Sequence, residues 1–196
     1  MTSRQAGRAK PGGAKQRMLD SAVTLLRERG AAGVTIDAVL AHSGAPRGSV
    51  YHHFPGGRTE LIVGAARQAG EFITALIDAA AAEGDPARAM DRFVGFWKQS
   101  LAATDYTAGC PVVALAVDGR HVTAEAAALT REIFTGWQTR LADLLVGHAV
   151  PAARARRLAT LAVAAIEGAV ILCRAHRDTG PLDDIAAEIP HLLGTP

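Results

Sequence analysis

Three residues close together constrain this chain most. Thr35 caps a short run of apolar positions at Ile36, Val39 and Leu40, Gly44 ends it, and Pro46 starts the next run. A threonine supplies a side-chain acceptor to the unpaired N–H groups of a first turn. A glycine tolerates the left-handed conformation that closes a helix, and a proline at the first helical position loses an N–H that had no partner anyway. Two short helices joined by a turn of about three residues therefore follow. Upstream, Met18, Leu19, Ala22, Val23, Leu25 and Leu26 recur at helical spacing over residues 14–29, with Gly30 placed as a stop. The two short helices and their turn form a helix-turn-helix, whose second helix enters a major groove.

On the third helix, spacings of three and four put Arg47, Gly48, Tyr51 and His52 on one face and turn Val50 and Phe54 toward helix 1. The outward face suits DNA. Arg47 reaches a base edge or phosphate, Gly48 lets the backbone approach closely, and Ser49 and Tyr51 offer hydroxyls to phosphate oxygens. Eight residues rising about 1.5 Å each make a rod of about 12 Å, comparable with the major-groove width. Two alternatives stay open. Tyr51 either contacts phosphate or packs beneath helix 1, and His53 is either a helix-end histidine or a phosphate contact.

The charge distribution agrees with that assignment. The formal net charge is only +2, but residues 1–58 carry about +6 and the remainder about −4. A basic head on an acidic body is the footprint of a polyanion-binding module. Residues 1–13, with Arg4, Arg8 and Lys10, read as a disordered arm that either solubilises the chain or reaches DNA.

The rest of the chain reads as helix throughout. Its 41 alanines and scarce aromatics suit closely packed helices better than a sheet. Long helices are expected over 59–83, 86–103, 123–148 and 154–177, a short one over 111–117, and a last amphipathic one carrying Leu182, Ile185, Ile189, Leu192 and Leu193, kinked or shortened at Pro190. The architecture is all-α, about nine helices: an arm at 1–13, a head at 14–58 and a body at 59–196. The apolar stretch from Leu158 to Cys173 falls short of a bilayer span and contains Glu167, so no membrane segment is expected. Cys110 and Cys173 have no metal-ligand or CxxC spacing, and the chain opens with no signal-peptide pattern, so a reducing cytoplasm, no metal and no cofactor are expected. No GxSxG, HExxH, Walker A or GxGxxG sequence supports an enzyme.

The segment over 35–61, with TIDAVLAHSG, APRGSVYHHF and PGGRTEL, resembles the signature of the tetracycline-repressor (TetR/AcrR) family across about 45 residues. The resemblance implies DNA contacts at Thr35, Pro46, Arg47, Gly48, Ser49, Tyr51, His52 and His53, and at Arg58, which stands where the family has a phosphate-binding lysine. There are departures. Pro46 replaces a serine, His52 a tyrosine and Ser43 an alanine, and Gly56-Gly57 lengthens the loop before Arg58 by one residue. That loop and the run Gly109-Cys110-Pro111-Val112 are similar to the subgroup typified by lincomycin-resistance and flavonoid-responsive repressors. The resemblance further implies a homodimer through the last two helices, about 154–177 and 181–193, with Ala164, Ala165, Gly168 and Ala169 permitting close approach. It also implies a body pocket for a small apolar or amphipathic inducer, for which Phe93, Trp97, Tyr106, Cys110, Trp137 and Glu167 are candidates. The function implied is a ligand-responsive repressor on a palindromic double-stranded DNA operator. The alternatives are an architectural DNA binder without a ligand, or a small all-α enzyme.

Overall fold

A computed structural model describes residues 13–193, so the basic arm lies, except for Gly13, outside the described residues. Among the described residues there are nine α-helices and no strand. Helix α1 (Ala14–Gly33) is interrupted at Gly30, whose φ of 69° and ψ of −173° leave the helical region. The glycine thus breaks the helix as its sequence position foretold, but one more turn follows it. Helix α2 (Ile36–Ser43) is capped at Thr35, whose hydroxyl accepts the Ala38 N–H at 3.1 Å, and ends at Gly44 with φ 65°. Both ends of α2 are therefore set by the residues expected to set them.

The next helix differs from expectation. Pro46 precedes a single 3-10 turn at Arg47–Ser49, and the α-helix proper, α3, is one turn at Val50–His53. Phe54 closes it, with its N–H on the Val50 carbonyl. The facing is as predicted: Val50 and Phe54 are fully buried and Tyr51 is 63% exposed. A 3-10 turn tightens the backbone at a helix start without changing which side chains face inward.

Helix α4 (Gly57–Ala81) runs from head to body. Its Leu61, Ile62, Ala65 and Ala66 join Met18, Leu25 and Val39 in the head core, which also takes Leu115, Ala126 and Leu129 from the body. The boundary drawn at residue 58 consequently falls inside the first turn of a continuous helix. Helix α4 thereby belongs to both cores, with Ile73 and Ile77 in that of the body. The body comprises α5 (Pro86–Ala103), α6 (Pro111–Val117), α7 (Ala124–Gly147), α8 (Ala152–His176) and α9 (Gly180–Leu193) around Trp97, Leu101, Val112, Trp137, Ile166 and Leu182. Helix α4 lies close along α7: a Cβ at Gly70 would stand 2.7 Å from Ile133 Cδ1, so only glycine permits that approach. Helix α9 is not shortened at Pro190 but continues to Leu193. A proline in the last turn forfeits one hydrogen bond, leaving little downstream helix to lose.

Helix α8 covers nearly the range expected for it, 154–177. It is 25 residues long, long and apolar enough by length and composition alone to cross a membrane, yet much of it is left uncovered within the chain. The helix runs past the apolar stretch from Leu158 to Cys173 at both ends, into turns that carry Arg154, Arg156 and Arg157 on one side and Arg174 and His176 on the other. Leu161, Ile171 and Leu172 remain about half exposed.

Candidate nucleic-acid interface and body cavity

The start of α2, the 3-10 turn and α3 bring Thr35, Pro46, Arg47, Gly48, Tyr51 and His52 to one exposed surface, with Ser49 and His53 half-buried at its edge. Arg47 Nη2 pairs with Asp37 Oδ1 at 2.7 Å, and both side chains are open to solvent. Such a pair contributes little to stability and can open toward a phosphate or base edge at small cost. Ser49 donates its hydroxyl to the Pro46 carbonyl at 2.6 Å, so its proton is engaged within the turn. The Thr35 oxygen accepts the cap bond, which leaves the hydroxyl proton free to donate outward. A Cβ at Gly48 would meet nothing within 4 Å, so no contact within the chain demands glycine there. His52 and His53 meet edge to face at 4.9 Å.

Arg58 is placed differently from the other candidates. Its guanidinium donates to the Ala31 carbonyl at 2.6 Å and the Val34 carbonyl at 2.7 Å, with a longer contact of 3.5 Å to the His121 carbonyl. Its two short bonds fasten the end of α1 to the start of α4. Gly57, immediately ahead of it, adopts a φ of 61°.

Arg58 belongs to a junction that the sequence did not reveal. Arg27 of α1 donates from Nε to the Gly109 carbonyl at 3.1 Å and from Nη2 to Ser100 Oγ at 2.6 Å, while the Gly109 N–H returns a 2.9 Å bond to the Arg27 carbonyl. Asp118, past the end of α6, accepts the Ala32 N–H at 2.9 Å. From the other side Arg174 of α8 donates to the Thr107 carbonyl at 2.9 Å. The loop between α5 and α6, with Asp105 and Tyr106 at positive φ, is thus held between head and body. Two basic residues that count toward the head's positive charge serve this junction. Only long-range contacts distinguish them from the basic residues of a DNA face.

In the body, α4, α5, α7 and α8 enclose a cavity of about 90 Å³. Its walls include Ile73, Ile77, Met90, Leu141 and Ile166, together with three of the six candidates, Phe93, Trp137 and Glu167. The other three lie elsewhere. Trp97 is packed in the core with its Nε1 unpartnered, Tyr106 sits half-buried in the junction loop, and Cys110 lies behind Glu167. The Cys110 thiol, which burial pushes well up in pKa and so keeps protonated, donates to the Glu167 carboxylate. Glu167 Oε2 is buried with no hydrogen-bond partner, and burial raises this carboxyl to about 7, the Cys110 bond opposing the shift. The apolar liners of α4 carried no signal separating them from plain core positions, because cavity walls and core share one chemistry.

A second concave surface lies between α8 and α9, along Ala164, Ala165, Gly168, Leu172 and Ile185. A Cβ at Gly168 would meet nothing, so packing within the chain does not require its smallness.

Comparison with known proteins matches this geometry. Residues 18–64 match the bacterial regulatory proteins of the tetR family, and residues 86–188 match the C-terminal domain of LmrA/YxaF-like transcriptional regulators. The chain is 41% identical over 186 residues to the uncharacterized HTH-type transcriptional regulator Rv0196 of Mycobacterium tuberculosis, covering 92% of this chain and 94% of that one. It is 29% identical over 183 residues to the HTH-type transcriptional regulator LmrA of Bacillus subtilis, covering 93% and 97%. A regulatory protein TetR from Rhodobacter sphaeroides shares the fold, with TM-score 0.81 at 20% identity over 91% of this chain and 98% of that one. A TetR transcriptional regulator from Legionella pneumophila does so with TM-score 0.82 at 17% identity over 92% and 97%. With a helix-turn-helix head, an all-helical body and relatives that cover nearly its whole length, the chain belongs to the TetR family of DNA-binding transcriptional regulators, in the branch with an LmrA/YxaF-like C-terminal domain.

Proposed function

We propose that the protein is a cytoplasmic, homodimeric repressor that leaves a palindromic operator when a small apolar or amphipathic inducer enters the body. The observation that carries this reading is the connection between cavity and head. Glu167 on the cavity wall holds Cys110, and the adjacent Gly109 exchanges two hydrogen bonds with Arg27 of α1. At about 90 Å³ the cavity is smaller than the ~150 Å³ site that accepts benzene in an engineered core, so an inducer widens it by displacing helices. One of those helices, α4, also forms part of the head core. The displacement is bounded by the ligand's differential affinity for the two states.

Pairing follows from two requirements. One head with a one-turn α3 makes too few base contacts for an operator, and two heads related by a twofold axis meet two half-sites. The exposed apolar side chains of α8 and the open face at Gly168 need cover, which the same faces of a second copy supply as a four-helix seam. Thr35, Arg47, Gly48 and Tyr51 are the residues we assign to the DNA. In a mobility-shift assay against the upstream region of its own gene at moderate salt, Arg47→Ala is expected to weaken sequence-specific binding and Tyr51→Phe to weaken all sequences alike. Absence of any sequence-specific retardation by the unaltered protein sinks the reading.

A further inference from the structure

The cavity is almost without polar groups. Helices α4 and α5 present only apolar side chains to it, and α7 adds only Trp137, whose Nε1 already donates to Thr74 Oγ1 at 3.1 Å. No lysine or arginine is among its described walls. The exception is Glu167 on α8. One side of its carboxylate is held by the Cys110 thiol, and Oε2 is buried without a partner. An unpaired carboxylate oxygen in apolar surroundings is costly, and nearly all such groups in folded proteins have a partner. This one lies on a cavity wall, so a bound molecule can supply the partner.

We propose that the cavity takes a small lipophilic cation, an apolar body bearing one protonated amine, with the free oxygen of Glu167 as its acceptor and counter-charge. The proposal rests on the ligand-responsive reading above and specifies its ligand class. A neutral hydroxyl satisfies the hydrogen bond but leaves the buried charge uncompensated, and a carboxylate ligand adds a second anion. A cation does both tasks, because hydrogen bonds between ionised partners are about twice as strong as neutral ones. Recognition at Glu167 is also mechanically well placed, since its other partner, Cys110, adjoins the residue bonded to Arg27.

The test is isothermal titration calorimetry of the full-length protein at pH 7 with hexylamine, 1-hexanol and hexanoate, each in two buffers of different ionisation enthalpy. With the carboxyl near 7 in the free protein, amine binding holds it ionised and releases about half a proton per protomer, and affinity for the amine rises with pH across neutrality. Hexylamine is expected to bind about tenfold more tightly than 1-hexanol, and E167Q to bring the amine down to the alcohol. Equal affinities, a preference that survives E167Q, proton uptake in place of release, or no binding of any of the three overturns the proposal. A mobility-shift arm separates the two readings. If 1-hexanol binds as well as the amine and dissociates the DNA complex, the cation assignment fails and the inducer reading stands. If hexylamine binds with proton release and leaves the DNA complex intact, the cation site stands and the inducer reading fails.

Discussion

Arg58 distinguishes a structural role from a DNA-contacting one, and replacing it separates the two quantitatively. The guanidinium makes two short bonds, 2.6 Å to the Ala31 carbonyl and 2.7 Å to the Val34 carbonyl, and one at 3.5 Å that is too long to count. Hydrogen bonds from a charged donor contribute about 1.5–3 kcal/mol each, and partial exposure here brings the pair down to about 2–3 kcal/mol in total. For a chain of this size, Arg58→Ala is then expected to lower Tm by about 5–10 °C, compared at equal protein concentration because an oligomer's melting depends on it. Arg58→Lys keeps the charge but can remake at most one of the two bonds, so it recovers little of the loss. DNA binding is followed by fluorescence anisotropy over a range of salt, well below both melting temperatures. Were Arg58 bound to a phosphate, its removal would reduce the slope of log K against log salt by about 0.9 for each phosphate no longer neutralised. The structure predicts an unchanged slope and a lowered Tm. A reduced slope with an unchanged Tm, and restoration of the slope by lysine, would refute the reasoning and return Arg58 to the DNA backbone.

Three further outcomes are expected. Burial raises the Glu167 carboxyl from an ordinary 4.5 to about 7, so its protonated form favours the folded state; that contribution is complete below about 4.5 and lost as pH rises through about 7. Urea denaturation of Glu167→Gln should therefore match the parent at low pH and exceed it by about 3 kcal/mol above pH 7, and a gap independent of pH would contradict the burial argument. Gly44→Ala, at a φ of 65°, should cost about 1 kcal/mol of stability, whereas Gly48→Ala, whose Cβ meets nothing in the free protein, should leave Tm unchanged and weaken DNA binding. Ile171→Asp, placing a charge on the half-exposed apolar face of α8, should shift sedimentation toward the monomer, and an unaltered sedimentation coefficient would remove that face from the seam.

The sequence by itself determined the all-α class, the order of the helices and the faces of the helix-turn-helix. Those features rest on local physics: the cap at Thr35, the left-handed stop at Gly44, and the spacing that buries Val50 and Phe54 while exposing Tyr51. Local signals were weaker where two helical geometries compete, and so the expected third helix became a 3-10 turn followed by one α-turn. Only the tertiary structure decided where Arg27 and Arg58 point, because an arginine's partners across 82 or 24 residues leave no mark on its own neighbourhood. It likewise divided the candidate aromatics, placing Phe93 and Trp137 on a cavity and Trp97 in solid core. Apolar residues are chosen for burial in either setting, and whether burial leaves a space depends on how four helices pack, which no single helix encodes.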